Sequence, residues 1–105
     1  MPAVKPGDIW MVDLGMAAKV RPCLIITPQL RGKELDVFTV VAHTTATRGH
    51  RWEISIARPF FDSEGAFDVQ RIATVASVKL ERKLGELTSA EMDLVFDRLA
   101  ERLDL

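Results

Sequence analysis

Two short stretches of this chain carry the residue types that handle phosphate. Lys19 and Arg21 stand just before the apolar run Cys23-Leu24-Ile25-Ile26-Thr27, and His43-Thr44-Thr45-Ala46-Thr47-Arg48-Gly49-His50-Arg51 follows a second apolar run. A guanidinium offers a planar fork to two phosphate oxygens, and a threonine hydroxyl adds a neutral hydrogen bond. Histidine is the side chain that exchanges a proton most readily near neutral pH. If the two runs are adjacent antiparallel strands, the start of one lies beside the end of the other, and Arg21 approaches Thr44. The alternative is an ordinary solvated loop, with Arg48, His50 and Arg51 in water and Thr44 merely ending a strand.

Positioning these groups takes a small β framework. Trp10, Val12 and Leu14 alternate over 8–14, which predicts a strand after Pro6-Gly7. A turn at 15–19 leads to the strand 23–27, with Arg21 kept extended by Pro22 behind it. Further strands are expected at 36–43, 52–56, 71–78 and 82–87, with turns or loops at 29–34, 44–50 and 57–65. Thr88-Ser89-Ala90-Glu91 fits a capping box, and Met92, Val95, Phe96, Leu99 and Leu103 recur at helical spacing, so an amphipathic helix is expected over 89–103. The connections are too short for parallel crossovers. The expected fold is therefore mainly β: a small, strongly bent antiparallel sheet or barrel with a C-terminal helix.

Composition bounds the function. With 105 residues, 48% apolar and 28% charged, the chain is expected to be one soluble domain over 1–105 with its own core. A single cysteine, Cys23, excludes an internal disulfide framework and a four-cysteine zinc site. The net charge is −1, but residues 1–60 carry a surplus of three positive charges and 61–105 a surplus of four negative ones. A polyanion would meet the first part. No apolar stretch is long enough to cross a bilayer or to act as a signal peptide, so a cytoplasmic protein without membrane contact is expected.

Several motifs fail. No glycine-rich nucleotide loop and no H-E-x-x-H is present, and Asp62-Ser63-Glu64-Gly65 lacks the ligand spacing of a calcium loop. Cys23, His43 and His50 have no paired metal-ligand spacing, and no G-x-S-x-G elbow supports a serine nucleophile. No metal or cofactor is expected.

Taken in order, Gly7-Asp8-Ile9-Trp10, Val12-Asp13-Leu14-Gly15 and Val20-Arg21-Pro22-Cys23-Leu24-Ile25-Ile26 resemble the opening of the MazF/PemK toxins. Val40-Val41-Ala42-His43-Thr44-Thr45 is similar to their third-strand exit, and Gln70–Val75 and Lys83–Thr88 to their closing half. The resemblance spans nearly the whole chain. It implies an SH3-like barrel of five to seven short strands, a homodimer, and metal-independent cleavage of single-stranded RNA. It also implies a cognate antitoxin whose C-terminal segment occupies the RNA groove. By motif, the family's catalytic arginine falls on Arg21 and its threonine on Thr44, with Thr45 one residue away. The family's long glycine-rich first loop is reduced here to Gly15-Met16-Ala17-Ala18-Lys19, which marks a variant branch.

Cleavage without metal uses the RNA's own 2′-hydroxyl as nucleophile, which leaves DNA inert. Arg21 suits the stabilisation of charge on the pentavalent phosphorus. Thr44 would orient the phosphate, His43 or His50 would assist proton transfer, and Lys19, Arg48 and Arg51 would hold backbone phosphates. Trp10, Trp52, Phe60 and Phe61 are expected in the core. Two other functions fit the same fold: a gyrase-poisoning toxin acting through the C-terminal helix, and a barrel that binds nucleic acid without cutting it.

Overall fold

The structure is a computed structural model and describes residues 3–15, 19–61 and 64–105. Its strands are β1 (Asp8–Asp13), β2 (Val20–Ile25), β3 (Val37–Thr44), β4 (Glu53–Ile54), β5 (Ala66–Ala76) and β6 (Leu80–Glu86), followed by the helix α1 (Ser89–Leu103). They form one six-stranded sheet in the order β4-β5-β3-β2-β1-β6, and every pairing is antiparallel. Among the described residues, no helix is long and apolar enough to cross a membrane.

Period-two alternation gives the sheet two apolar faces. Ile9, Leu24, Val41, Ile54 and Phe67 lie on one, where Met92, Val95 and Leu99 of α1 pack against them. Trp10, Val12, Cys23, Ile25, Phe38, Val40, Ala42 and Leu80 make the second cluster. Register shifts between Val41 and His43 on the β5 side, and twice along β1–β6, bend the sheet as β-bulges do. The helix begins as its sequence indicates: Thr88 Oγ1 accepts from Glu91 N at 3.2 Å and Glu91 Oε1 accepts from Thr88 N at 2.8 Å. Phe96 and Leu103, grouped by spacing with the buried stripe, are 43% and 54% exposed.

Strand limits depart from expectation in one informative place. β5 starts at Ala66, five residues before the alternation at Arg71 announces it. Ala66, Phe67, Asp68 and Val69 are all buried, so no polar-out pattern marks them. The carboxylate in that run is retained because its Oδ1 accepts from Gln70 N at 2.9 Å and Arg71 Nε stands 3.4 Å from Oδ2. β4 is shorter than the alternation over 52–56 suggests, and β2 begins earlier, at Val20. The shortened first loop lies partly outside the described residues. Its flanks are joined by Leu14 N to Lys19 O at 2.9 Å, with Lys19 left-handed at φ 57°.

Candidate active site

The β2–β3 ladder pairs Ile25 with Val40, Leu24 with Val41 and Cys23 with Ala42. Continued by two residues within the same strands, this register sets Arg21 opposite Thr44, and alternation puts both side chains on the face that carries Cys23 and Ala42. The charge of Arg21 is felt at Cys23: burial pushes that thiol up to about 12, and the guanidinium opposes the rise. Thr44 is 2% exposed, and its Oγ1 accepts from Ala46 N at 3.1 Å, a turn that fixes the strand exit. Accepting through oxygen, the hydroxyl still carries a proton to donate.

A cleft of about 280 Å³ opens at this strand end, lined by Met11, Val20, Arg21, Pro22, His43, Thr45, Phe60, Phe61, Arg82 and Leu84. Burial makes Thr44 the better fixed of the two threonines, and Thr45 is the more accessible. Arg82 was not among the residues singled out from the sequence. It comes from β6, where it pairs with Met11 of β1, which in turn pairs with Pro22 of β2. Two strand spacings of about 4.8 Å therefore separate Arg82 from Pro22 across the sheet. Its only sequence signal was its place in a closing strand, and nothing local joins that strand to β1.

The two histidines separate. His43 is 3% exposed and stacks on Phe61, with ring centroids 4.0 Å apart and 9° between planes, while Phe67 meets its edge at 5.1 Å. Burial lowers its pKa, so the ring is neutral near pH 7. It lines the Arg21 cleft; His50 does not. His50 belongs to a second cleft of about 530 Å³ lined by Ala46, Arg48, His50, Trp52, Glu53, Asp68, Gln70 and Arg71.

In that second cleft His50, Glu53 and Asp68 offer ligand-type atoms within 4.8 Å of one another. This differs from the grouping of Cys23, His43 and His50 weighed from sequence, since Cys23 and His43 pack in opposite apolar clusters. The hydrogen bonds tell what the set does. His50 Nδ1 accepts from Trp52 N at 3.2 Å, which places the proton of a neutral ring on Nε2, the nitrogen 3.7 Å from Glu53 and 3.8 Å from Asp68. A metal at Nε2 would require that proton to move to Nδ1 and break the Trp52 contact. Glu53 is likewise engaged, accepting from Arg48 N at 2.9 Å and Gly49 N at 2.7 Å. The Arg48 amide foremost, with those of Gly49 and His50 and the His50 charge, holds its pKa low against desolvation. The cluster is a clamp on the basic loop.

Of the remaining basic residues, Lys19 is exposed at the entrance to β2, and Arg48 is exposed on the rim of the second cleft. Arg51 is drawn away: its guanidinium carbon lies 4.2 Å from the Trp52 ring centroid, and its Nη1 is 3.3 Å from Glu101 of α1. Trp10 and Trp52 are buried as expected, whereas Phe60 and Phe61 are only half-buried and face the Arg21 cleft.

No curated protein matches the chain in sequence. Among solved structures, an endoribonuclease from a mycobacterial species, in complex with its cognate antitoxin, superposes with a TM-score of 0.79 at 27% identity, covering 98% of this chain and 97% of that one. The Mycobacterium tuberculosis toxin MazF-mt6 gives 0.76 at 22% identity over 93% and 97% of the two chains. A chain of the MazE-MazF complex of Deinococcus radiodurans gives 0.79 at 13% identity over 100% and 99%, a likeness of fold. Residues 5–103, which take in the whole cleft from Met11 to Leu84, match the model of the PemK-like, MazF-like toxins of type II toxin–antitoxin systems, and the chain belongs to that family.

Proposed function

We propose that this toxin is an endoribonuclease that cuts single-stranded RNA without a metal ion, by attack of the 2′-hydroxyl on the adjacent phosphorus. The carrying observation is the cleft at the ends of β2 and β3 that Arg21, Thr45 and Arg82 line, with Thr44 buried next to Thr45. In this reading the 2′ oxygen gives up its proton and bonds to phosphorus while the bond to the 5′ oxygen breaks and that oxygen takes up a proton, giving a 2′,3′-cyclic phosphate and a 5′-hydroxyl. Arg21 opposes the charge that builds on the phosphoryl oxygens, and its forked geometry fits two of them. Thr44 donates its hydroxyl proton to the phosphate, with Thr45 beside it. His43, neutral and within the cleft, is an auxiliary proton acceptor; His50 serves the loop clamp instead. Lys19, Arg48 and Arg82 guide the strand.

The mycobacterial endoribonuclease, similar over nearly its whole length, supports this activity, and its antitoxin complex supports a cognate antitoxin here. We assign to that antitoxin a C-terminal segment lying in the Arg21 cleft, and to the toxin a homodimeric state and a cytoplasmic site of action. The test is incubation of the purified protein with mixed single-stranded RNA in excess EDTA, with product ends mapped. Site-specific cuts ending in cyclic phosphate are expected. Intact RNA in gel-shifted complexes would instead identify a binding module, and cleavage only after metal is restored would overturn the metal-free mechanism.

A further inference from the structure

The His43–Phe61 stack forms a wall shared by two cavities. On one side is the Arg21 cleft; on the other is a larger cavity of about 590 Å³ lined by His43, Ser55, Ile56, Ala57, Arg58, Phe61, Glu64 and Gly65. That volume lies in the range of roughly 300–1,000 Å³ usual for small-ligand pockets. Gly65 brings this wall close: a Cβ there would lie 2.5 Å from His43 Cε1 and 2.5 Å from Thr44 O, so only glycine lets residues 64–65 pass against the site. A nucleotide whose phosphate sits at Arg21 therefore has a neighbouring cavity walled by an aromatic ring, and unpaired RNA bases are commonly received on such rings.

Charge identifies the base. Arg58 is committed elsewhere: its guanidinium donates to Ala57 O at 2.9 Å, to Glu86 O at 3.2 and 3.4 Å, and to both carboxylate oxygens of Glu91. Among the described residues, Glu64 is thus the cavity's charged acceptor, with the Ser55 hydroxyl as the accompanying polar group. We propose that this cavity, which Glu64 and Phe61 both line, selects through the Glu64 carboxylate a guanine next to the cleaved phosphate. Guanine alone presents two adjacent donors, N1–H and the N2 amino group, on its Watson–Crick edge, and a carboxylate accepts both. Adenine and cytosine each set a ring-nitrogen lone pair against the carboxylate, and uracil flanks its one N–H with two carbonyls.

This inference rests on the RNA-cleavage reading, and two measurements keep the two apart. The first sequences the cut sites made in a random RNA pool by the full chain and by Glu64→Gln. Guanine is expected to be enriched at one position flanking the cut. In the variant that enrichment should fall about tenfold or more, the scale of one bidentate base contact, and adenine and cytosine should rise, because an amide offers the acceptor–donor pair that both match. Cutting with no guanine preference, or an unchanged preference in Glu64→Gln, overturns the proposal. The second titrates the unaltered protein with 5′-GMP and with 5′-AMP, following backbone amide resonances by NMR. GMP should shift Ser55, Phe61, Glu64 and Gly65 at lower concentration than AMP. Equal responses, or responses elsewhere, refute the guanine cavity whether or not RNA is cut, and an intact RNA pool refutes only the cleavage reading.

Discussion

The guanidinium of Arg51 lies 4.2 Å from the ring centroid of its neighbour Trp52, and Arg102 of α1 approaches the same ring at 5.3 Å. Arg98 adds a hydrogen bond to the Arg51 carbonyl, and Glu101 pairs with the Arg51 side chain. The last turns of the helix thereby hold one end of the basic loop. Arg48, three residues earlier, donates its backbone amide to Glu53 and has its side chain on the cleft rim.

The two arginines should therefore fail differently. Arg48→Ala is expected to weaken RNA binding and to flatten the dependence of log affinity on log salt by about 0.7, the value for one phosphate contact on a single strand. Arg51→Ala should leave that slope unchanged and lower stability by about 0.5–1 kcal/mol, the scale of an exposed cation–π contact. Salt titrations and denaturant melts of both variants decide it. A flattened slope in Arg51→Ala would return that residue to the RNA.

Arg21→Ala should lose roughly 10²–10³ in cleavage rate at saturating RNA, as when one preorganised donor to a developing anion is removed. Arg21 is half-buried at a strand entrance and outside both apolar clusters, so circular dichroism should stay native. Arg21→Lys should recover little, since an ammonium lacks the planar fork. Full activity in either variant would remove Arg21 from the chemistry.

Thr44 and Thr45 are separable by two readouts. Thr44→Ala removes the acceptor for Ala46 N, so it should lose about 1 kcal/mol of stability as well as rate, and Thr44→Ser should restore both. Thr45→Ala, at an exposed position, should leave the melting temperature in place. If Thr45→Ala alone slows cleavage, Thr45 is the phosphate ligand and Thr44 is only the turn's anchor.

Stability should fall on acidification in two stages. Burial depresses the His43 pKa from its ordinary 6.5, so below that value the unfolded chain binds a proton the native chain resists. The His43 contribution is complete above pH 6.5 and is lost as pH falls toward the depressed native value. Below about pH 4.5 the depressed carboxyls of Glu53, Glu86 and Glu91 add to the loss, each held down chiefly by hydrogen bonds from Arg48 N, Lys5 and Arg58 respectively. Denaturant melts of His43→Phe, which keeps a stacking ring, should lose less stability between pH 7.5 and 5.5 than the unaltered protein. Parallel profiles would show that His43 is not the group titrating.

Cys23 is fully buried and its thiol is pushed up to about 12. Thiol reagents at pH 8 should leave the native protein unmodified and label it only on unfolding, at the rate set by opening. Rapid labelling of native protein would contradict the packing of β2 between β1 and β3.

What the sequence showed and what it hid follow from distance along the chain. The helix was legible because its cap and its apolar stripe are local, and the antiparallel pairing of β2 with β3 was legible because the two strands are consecutive. The acidic clamp on the basic loop was hidden, since Asp68 reaches His50 from another strand in a run with no alternation. Arg82 was hidden too, because β6 pairs with β1 across almost the whole sequence. The contacts of Arg51 with α1 could not be read from a loop whose charges all look alike before the helix is placed beside it.

That long-range pairing also orders events in time. The hairpins β1–β2 and β2–β3 need only residues up to Thr44, and they already contain Arg21 and Thr44, with Thr45 next in the chain. The other edge of β1 and the helix that covers Ile9 and Leu24 wait for residues 80–103. Non-local pairings of this kind slow folding toward milliseconds or longer. A ribosome-bound chain would thus carry the cleft's strand-end residues well before Arg82 arrives to complete the cleft, so the toxin's cleft is finished only once β6 has paired with β1.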